Sequence, residues 1–238
     1  MKKCIVNFVS DKYWFPKGQS RLLESLKKVG FDGDILTWKG DEFLQKELGC
    51  PLHSQAPYAF KTYTLMEAKK RGYDLVMWVD ASFWAIKPLD KMFEFLEKKG
   101  WLMEASNGYV GQWCTDAALN SFGITREEAF KTRLFTAGGI GLNLTNAKSL
   151  EFLKQWHEKA NDGVSFIGPW DNQDNSMGGW PTVRGHRHDM AIGSIIANKL
   201  GMDYLDDTFF SYYREEYKDH LPSGNICFIL QGYYDGYK

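Results

Sequence analysis

The chain has no appreciable excess of either charge: 29 Lys and Arg stand against 30 Asp and Glu in 238 residues, a formal net charge of −1. A whole-chain field that would draw in a polyanion is therefore missing, which argues against duplex nucleic acid or an anionic membrane as the main partner. Long hydrophobic runs are missing too. No stretch approaches the ~20 apolar residues of a transmembrane segment. The short apolar run in MKKCIVNFVSDKYW is too brief for the core of a signal peptide, so a cytoplasmic setting is expected. The four cysteines, Cys4, Cys50, Cys114 and Cys227, form no C-x-x-C pair. That argues against a zinc ribbon and for free thiols in a reducing compartment. With no internal repeat, low-complexity tract or interdomain linker, residues 1–238 are expected to form a single domain. A chain of this length can remove roughly 70–75 % of its unfolded surface from water without metal or disulfide staples.

Aromatic residues are plentiful. There are 9 Trp, 12 Tyr and 16 Phe, and several lie in polar, glycine-rich stretches where core packing has no obvious use for them. Two readings stand side by side: a large aromatic core, or flat faces on which carbohydrate rings stack.

Hydrophobic periodicity alternates between strand and helix. KCIVNFVS, GDILTW, DLVMWVDA and WLMEAS read as strands; SRLLESLKKVG, DEFLQKEL and LDKMFEFLEKKG read as the intervening helices. PYAFKTYTLMEAKKRG reads as a helix opening on Pro57, because proline tolerates the first helical position. This order predicts an α/β fold with a mostly parallel, Rossmann-like central sheet and helices on both faces. Farther along, Thr125 to Glu128 (TREE) matches a capping box, TAGGIGLNLT is a glycine-interrupted strand, and a helix begins at Asn146. HRHDMAIGSIIANKLG is another helix and NICFILQGYY a last strand. Residues 163–185 hold Gly, Pro, Trp, Asn and Asp without periodicity, and so long a loop in a compact domain suggests an ordered substrate loop.

Ligands of open α/β sheets bind outside the carboxyl ends of the strands. Asp80 stands at such an end, where YDLVMWVDASFW passes from a buried strand into small residues. A carboxylate there escapes full burial and can face a cation or a hydroxyl; capping the next turn is its ordinary alternative. Lys61 falls in the first turns of the Pro57 helix, either as a solvated lysine or as a cation awaiting an anion.

Three segments, PYAFKTYTLMEAKKRGYDLVMWVDASFWAIKPLD, FTAGGIGLNLTNAKSLEFLKQWHE and GHRHDMAIGSIIANKLGM, resemble in order and spacing the core of nucleotide-sugar-dependent glycosyltransferases of the GT-A fold, over roughly residues 57–202. Such enzymes carry an Asp-x-Asp motif that holds Mn²⁺ or Mg²⁺ against the donor diphosphate. Asp80 matches the first carboxylate, but Ser82 occupies the place of the second. Like charges ~4 Å apart repel by about 4 kcal/mol at an effective dielectric of about 20, so something cationic must separate carboxylate from diphosphate. One Asp and one hydroxyl can still hold Mg²⁺, and His188 is the candidate third ligand of Mn²⁺.

The resemblance further implies that Ala137, Gly138 and Gly139 pass the donor sugar, although strand glycines also mark simple bulges. Asp189 would face the sugar or accept the acceptor proton, with His188 as the alternative base; N-capping the last helix is its structural alternative. Asp11, with Tyr13 and Trp14, would seat base and ribose, while Trp170, Asp171 and Trp180 would line the acceptor. A nucleotide-binding half over about residues 1–110 would then precede a sugar and acceptor half over 111–238.

The implied activity is transfer of a hexosyl or related group from a nucleotide diphosphate sugar to a hydroxyl acceptor such as a glycan. Two rivals remain. A sugar nucleotidyltransferase would need a more glycine-rich basic stretch than SDKYWFPKGQSR after the first strand, and a carbohydrate-binding protein without catalysis would explain the aromatics and the missing carboxylate.

Overall fold

Strands and helices alternate from the first residues of the computed structural model, which describes residues 1–179, 181–213 and 226–230. In chain order they are β1 (Lys3–Val9), α1 (Phe15–Lys28), β2 (Asp34–Lys39), α2 (Asp41–Leu48), α3 (Phe60–Lys70), β3 (Leu75–Val79), β4 (Phe83–Ala85), α4 (Asp90–Lys99), β5 (Trp101–Leu102) and β6 (Ala105–Tyr109). A 3₁₀ turn at Val110–Gln112 leads into α5 (Asp116–Ser121), α6 (Arg126–Ala129), β7 (Arg133–Phe135), β8 (Gly139–Asn143), α7 (Ala147–Ala160), α8 (His188–Lys199), β9 (Ser211–Tyr213) and β10 (Phe228–Leu230).

The central sheet has the order β2-β1-β3-β8-β5. β1 runs parallel to β2 and β3, and β8 alone is reversed, antiparallel to both β3 and β5. The period of two along these strands sorts their side chains onto two cores. Val6, Val76, Trp78 and Ile140 face α3, α7 and α8, where they meet Leu65, Trp156 and Ile192. Ile5, Leu75, Met77 and Val79 face α1 and α4, against Leu22, Leu26 and Leu96. Each large apolar side chain so buried contributes about 1.5–3 kcal/mol. The expected mostly parallel sheet with helices on both faces is the one observed.

Two smaller sheets flank it. β4, β10 and β9 form a three-stranded sheet that takes the chain onward from Asp80 through Ser82, and β6 pairs with β7. No helix among the described residues is long and apolar enough to cross a membrane.

Several boundaries differ from the sequence reading. α1 begins at Phe15, with Pro16 in its first turn, five residues before the Ser20 at which the expected helix SRLLESLKKVG starts. α3 begins at Phe60 instead of Pro57, because Tyr58 takes a left-handed φ of 64° that no helix can include. WLMEAS is split into β5 and β6 around Met103 and Glu104. The predicted caps do form: Asn146 Oδ1 accepts from the N–H groups of Lys148 and Ser149, and Thr125 and Glu128 bond reciprocally. Residues 163–185 carry no regular structure where described, yet they are internally bonded. The buried Asn172 amide donates to the carbonyls of Gly178 and Val183, and His186 bridges Thr115 N–H to the Ser165 carbonyl. All four cysteines are buried and outside any disulfide, and burial pushes the thiols of Cys4, Cys50 and Cys114 up to about 12 and that of Cys227 to about 11.

Candidate active site

A cavity of about 710 Å³ opens at the carboxyl ends of β1 and β3. Its wall is aromatic, with Phe8, Trp14, Tyr58, Trp78, Trp170 and Tyr213 among its residues. At its floor the period of two continues past β3: Trp78 points toward α3 and α8, so Asp80 does as well. The Trp78 indole N–H donates to Asp80 Oδ1 at 2.7 Å, and the Asp80 N–H donates to the Gly138 carbonyl at 2.8 Å.

Lys61, on α3, reaches the same point from the opposite side. Its ammonium lies 3.4 Å from Asp80 Oδ1 and 2.9 Å from Asp189 Oδ2, and it donates to the Ala137 carbonyl at 2.8 Å. The side chains of Lys61 and Asp189 are 4 % and 6 % exposed, whereas that of Asp80 is 36 % exposed. Burial works against the ammonium, but the charges of Asp189 and Asp80 more than compensate and hold its pKa above the ordinary lysine value. Burial raises the pKa of both carboxylates, opposed chiefly by Lys61. One cation against two carboxylates leaves this floor with a net charge of −1 when all three are ionised.

The structure thus brings together Asp80, Lys61, Asp189, Ala137, Gly138 and Ser82, all of which line the cavity. Lys61 is not a solvated lysine. Nor is Asp189 a cap: Arg187 holds the N-cap position of α8 without a side-chain bond, and Asp189 instead turns inward to Lys61.

Other expected residues stand elsewhere. Gly139 lies in β8 beneath the Phe210 ring, which a Cβ there would meet at 2.7 Å, rather than at the cavity. Asp11 is exposed beside Gly40 and 3.9 Å from Lys39, while Lys12, Tyr13 and Trp14 take the cavity wall. Asp171 is exposed and accepts from the Gln173 N–H, off the cavity. Trp180 lies outside the described residues.

His188 is set into the wall behind the cavity. Its Nδ1–H donates to the Phe166 carbonyl at 2.9 Å, and its ring stacks on Trp170 at 5.9 Å. Burial drives its pKa down to about 4, so it is neutral near pH 7 and a weak proton acceptor. Unlike Asp80, it does not line the cavity.

The oxygens present do suit a hard divalent cation. Asp80 Oδ2 meets no protein partner among the described residues, and Ser82 lines the same space. Among the described residues no three His, Cys, Asp or Glu side chains gather to hold a metal by themselves, so phosphate and water would have to complete the coordination.

Arg187 belongs to the site, and only its place in the sequence beside His188 and Asp189 pointed toward it. Its guanidinium lies 3.8 Å from the ring centres of both Trp113 and Trp170, clamped between two indoles, and it lines the cavity. Burial lowers its pKa to about 10, still fully charged near neutrality. Trp170 is 52 % exposed and lines the cavity.

No family model matches the chain, and no curated protein matches it in sequence. In three dimensions it is similar to a glycosyltransferase involved in glycosylation of the major capsid of PBCV-1, with a TM-score of 0.54 and 11 % identity over 97 % of this chain and 93 % of that one. It is similar to mouse xyloside xylosyltransferase 1 in its apo form, with a TM-score of 0.52 and 12 % identity over 98 % of each chain. The bifunctional glycosyltransferase WbbM gives a TM-score of 0.51 and 12 % identity, over 90 % of this chain and 40 % of that one. At such identities the likeness carries the fold, and the chain has a glycosyltransferase-like fold of the GT-A type.

Proposed function

We propose that the protein is a glycosyltransferase that moves a hexosyl or related group from a nucleotide diphosphate sugar to a hydroxyl acceptor, a glycan or similar molecule. The observation that carries this reading is the Lys61–Asp80–Asp189 cluster at the floor of an aromatic cavity, placed at the carboxyl ends of parallel strands. Anionic oxygens held in place by a buried ammonium are ready acceptors for sugar hydroxyls, and they need no rearrangement to act.

Asp80 and Ser82 would hold Mn²⁺ or Mg²⁺, which when bound would neutralise charge on the leaving diphosphate. Arg187 and Lys12 add positive charge from the cavity wall. Trp14 and Tyr13 offer faces for the base, and Trp170 and Tyr213 offer faces for the acceptor. Asp189, ionised and fixed by Lys61, would orient the sugar or take the acceptor proton. Within one domain, the first ~110 residues would supply most of the nucleotide side and the rest most of the acceptor side. A cytoplasmic setting accompanies this reading, since cysteines outside disulfides suit a reducing compartment.

The test is a thermal-shift screen of nucleoside diphosphates with and without Mn²⁺, followed by turnover of the matching nucleotide sugars. One diphosphate should stabilise the protein, more strongly with metal, and Asp80→Asn should lower turnover by roughly 100-fold or more. Absence of stabilisation under every combination would sink the proposal. A carbohydrate-binding protein without catalysis would bind glycan while showing no metal-linked affinity for any nucleotide.

A further inference from the structure

Glu104, between β5 and β6, takes no part in the cavity and is 1 % exposed. Its Oε1 accepts from the backbone N–H groups of Phe210 and Ser211, the latter at 2.9 Å, and its Oε2 accepts from the Ser211 hydroxyl. The main-chain carbonyl of the same residue accepts from the Thr136 N–H at 2.8 Å. On either side of it, Ala105 N–H donates to the Leu205 carbonyl at 2.9 Å and Leu205 N–H to the Met103 carbonyl at 2.8 Å.

One residue therefore ties down two segments of the cavity wall. Thr136, Ala137 and Gly138 line the cavity on one side, and Tyr213, two residues beyond Ser211, lines it on another. Two amides and a hydroxyl can be satisfied by a neutral acceptor. A buried carboxyl adds something a neutral group lacks, which is a proton that it can lose.

We propose that Glu104 is a positioning residue that joins these two walls, and that loss of its proton loosens the wall carrying Tyr213. The energetic basis is linkage. Burial is the main influence on the carboxyl and raises its pKa to about 7; the Ser211 hydroxyl and the Phe210 and Ser211 amides oppose the rise, and Asp207 adds to it. Besides Asp207, the Cys227 thiol senses this charge, and burial keeps it neutral across the physiological range.

When residues 205–213 swing away, Glu104 meets water and recovers an ordinary carboxyl pKa of about 4.3. Between those two values the closed wall holds a proton that the open wall has released; it sits on Oε2 and is donated to the Ser211 hydroxyl oxygen, while Oε1 keeps accepting from the two amides. The opening constant therefore rises by about tenfold per pH unit across that window and levels off above it. The wall is firm near pH 5 and looser near pH 8. This inference concerns the wall itself and stands apart from the transfer reaction.

Amide hydrogen exchange from pH 5 to 8, corrected for intrinsic exchange rates, tests it without any ligand. Protection of the Phe210 and Ser211 amides in the wild-type protein should fall by about tenfold per pH unit up to about pH 7. In Glu104→Gln the amide oxygen can accept the same two N–H bonds and the NH₂ group can donate to the Ser211 hydroxyl, so protection at these amides should stay high and independent of pH. Equal slopes in the two proteins would overturn the proposal. So would a flat wild-type profile, which decides the matter even if the variant does not fold.

Discussion

Lys61 Nζ lies 2.9 Å from Asp189 Oδ2, joining α3 to α8 where almost no water reaches. A buried cation shared by two carboxylates cannot be removed without leaving like charges facing each other. Lys61→Met should therefore destabilise the fold by about 3–5 kcal/mol, measured by urea unfolding. Adding Asp189→Asn to that variant should recover part of the loss, because one uncompensated charge disappears. Additive losses would show that the cation is less important to Asp189 than its distance implies.

Under the proposed function, the pH dependence of activity follows from the same cluster. Asp80 and Asp189 hold protons more tightly in the folded protein than in the unfolded chain, mainly through burial. Across the window from the ordinary carboxyl value up to the raised ones, the folded state binds more protons, so the contribution of these two groups to stability falls as pH rises. The ionised forms are the ones that accept hydroxyl protons. The acid limb of kcat/KM should consequently sit above the ~3.9 of a free aspartate, and a profile measured from pH 4 to 8 checks this.

Neighbouring glycines should behave differently. A Cβ on Gly138 would meet the Phe83 ring at 2.8 Å and Asp80 Oδ2 at 3.4 Å, whereas the three atoms nearest one on Gly139 all belong to the Phe210 ring. Both alanine variants should lose about 1–3 kcal/mol through overpacking. Only Gly138→Ala should weaken binding of the nucleotide that stabilises the wild type, as measured by calorimetry.

Restoring a second carboxylate gives a gain-of-function test. Ser82→Asp should raise the Mn²⁺ contribution to thermal stabilisation by nucleotide, equivalent to about tenfold or more in apparent metal affinity. An unchanged metal response would move the cation away from Asp80.

At the mouth, Trp170→Ala should raise the acceptor KM by about tenfold, which corresponds to roughly 1.4 kcal/mol of lost stacking. Initial-rate kinetics with both substrates varied will show whether the donor KM stays constant.

Much of this architecture can be read from the residues. Periodicity finds the strands of the central sheet but not the three-residue β4, β7 and β9, which are too short to show a period, and Asn146 and Thr125 cap as their side chains dictate. Where expectation and structure part, tertiary context wins. Tyr58 is held in a left-handed conformation beside Lys61, His53 and His188, and it delays α3 by three residues.

The site shows the same division. Asp80, Lys61 and Asp189 each draw notice alone, but that one ammonium reaches both carboxylates depends on how α3 and α8 pack on the sheet. Trp78 carries a local signal, since it precedes Asp80 by two on a strand. Glu104 carries none: a glutamate between two short strands looks solvated until Phe210 and Ser211 fold over it.

The buried thiols have a practical consequence. With all four cysteines out of water and their pKa values pushed up, the native protein is in effect cysteine-free toward maleimides and iodoacetamide at neutral pH. A single surface substitution such as Tyr213→Cys would then accept a fluorophore selectively, turning the rim of the cavity into an optical reporter without first stripping the native cysteines.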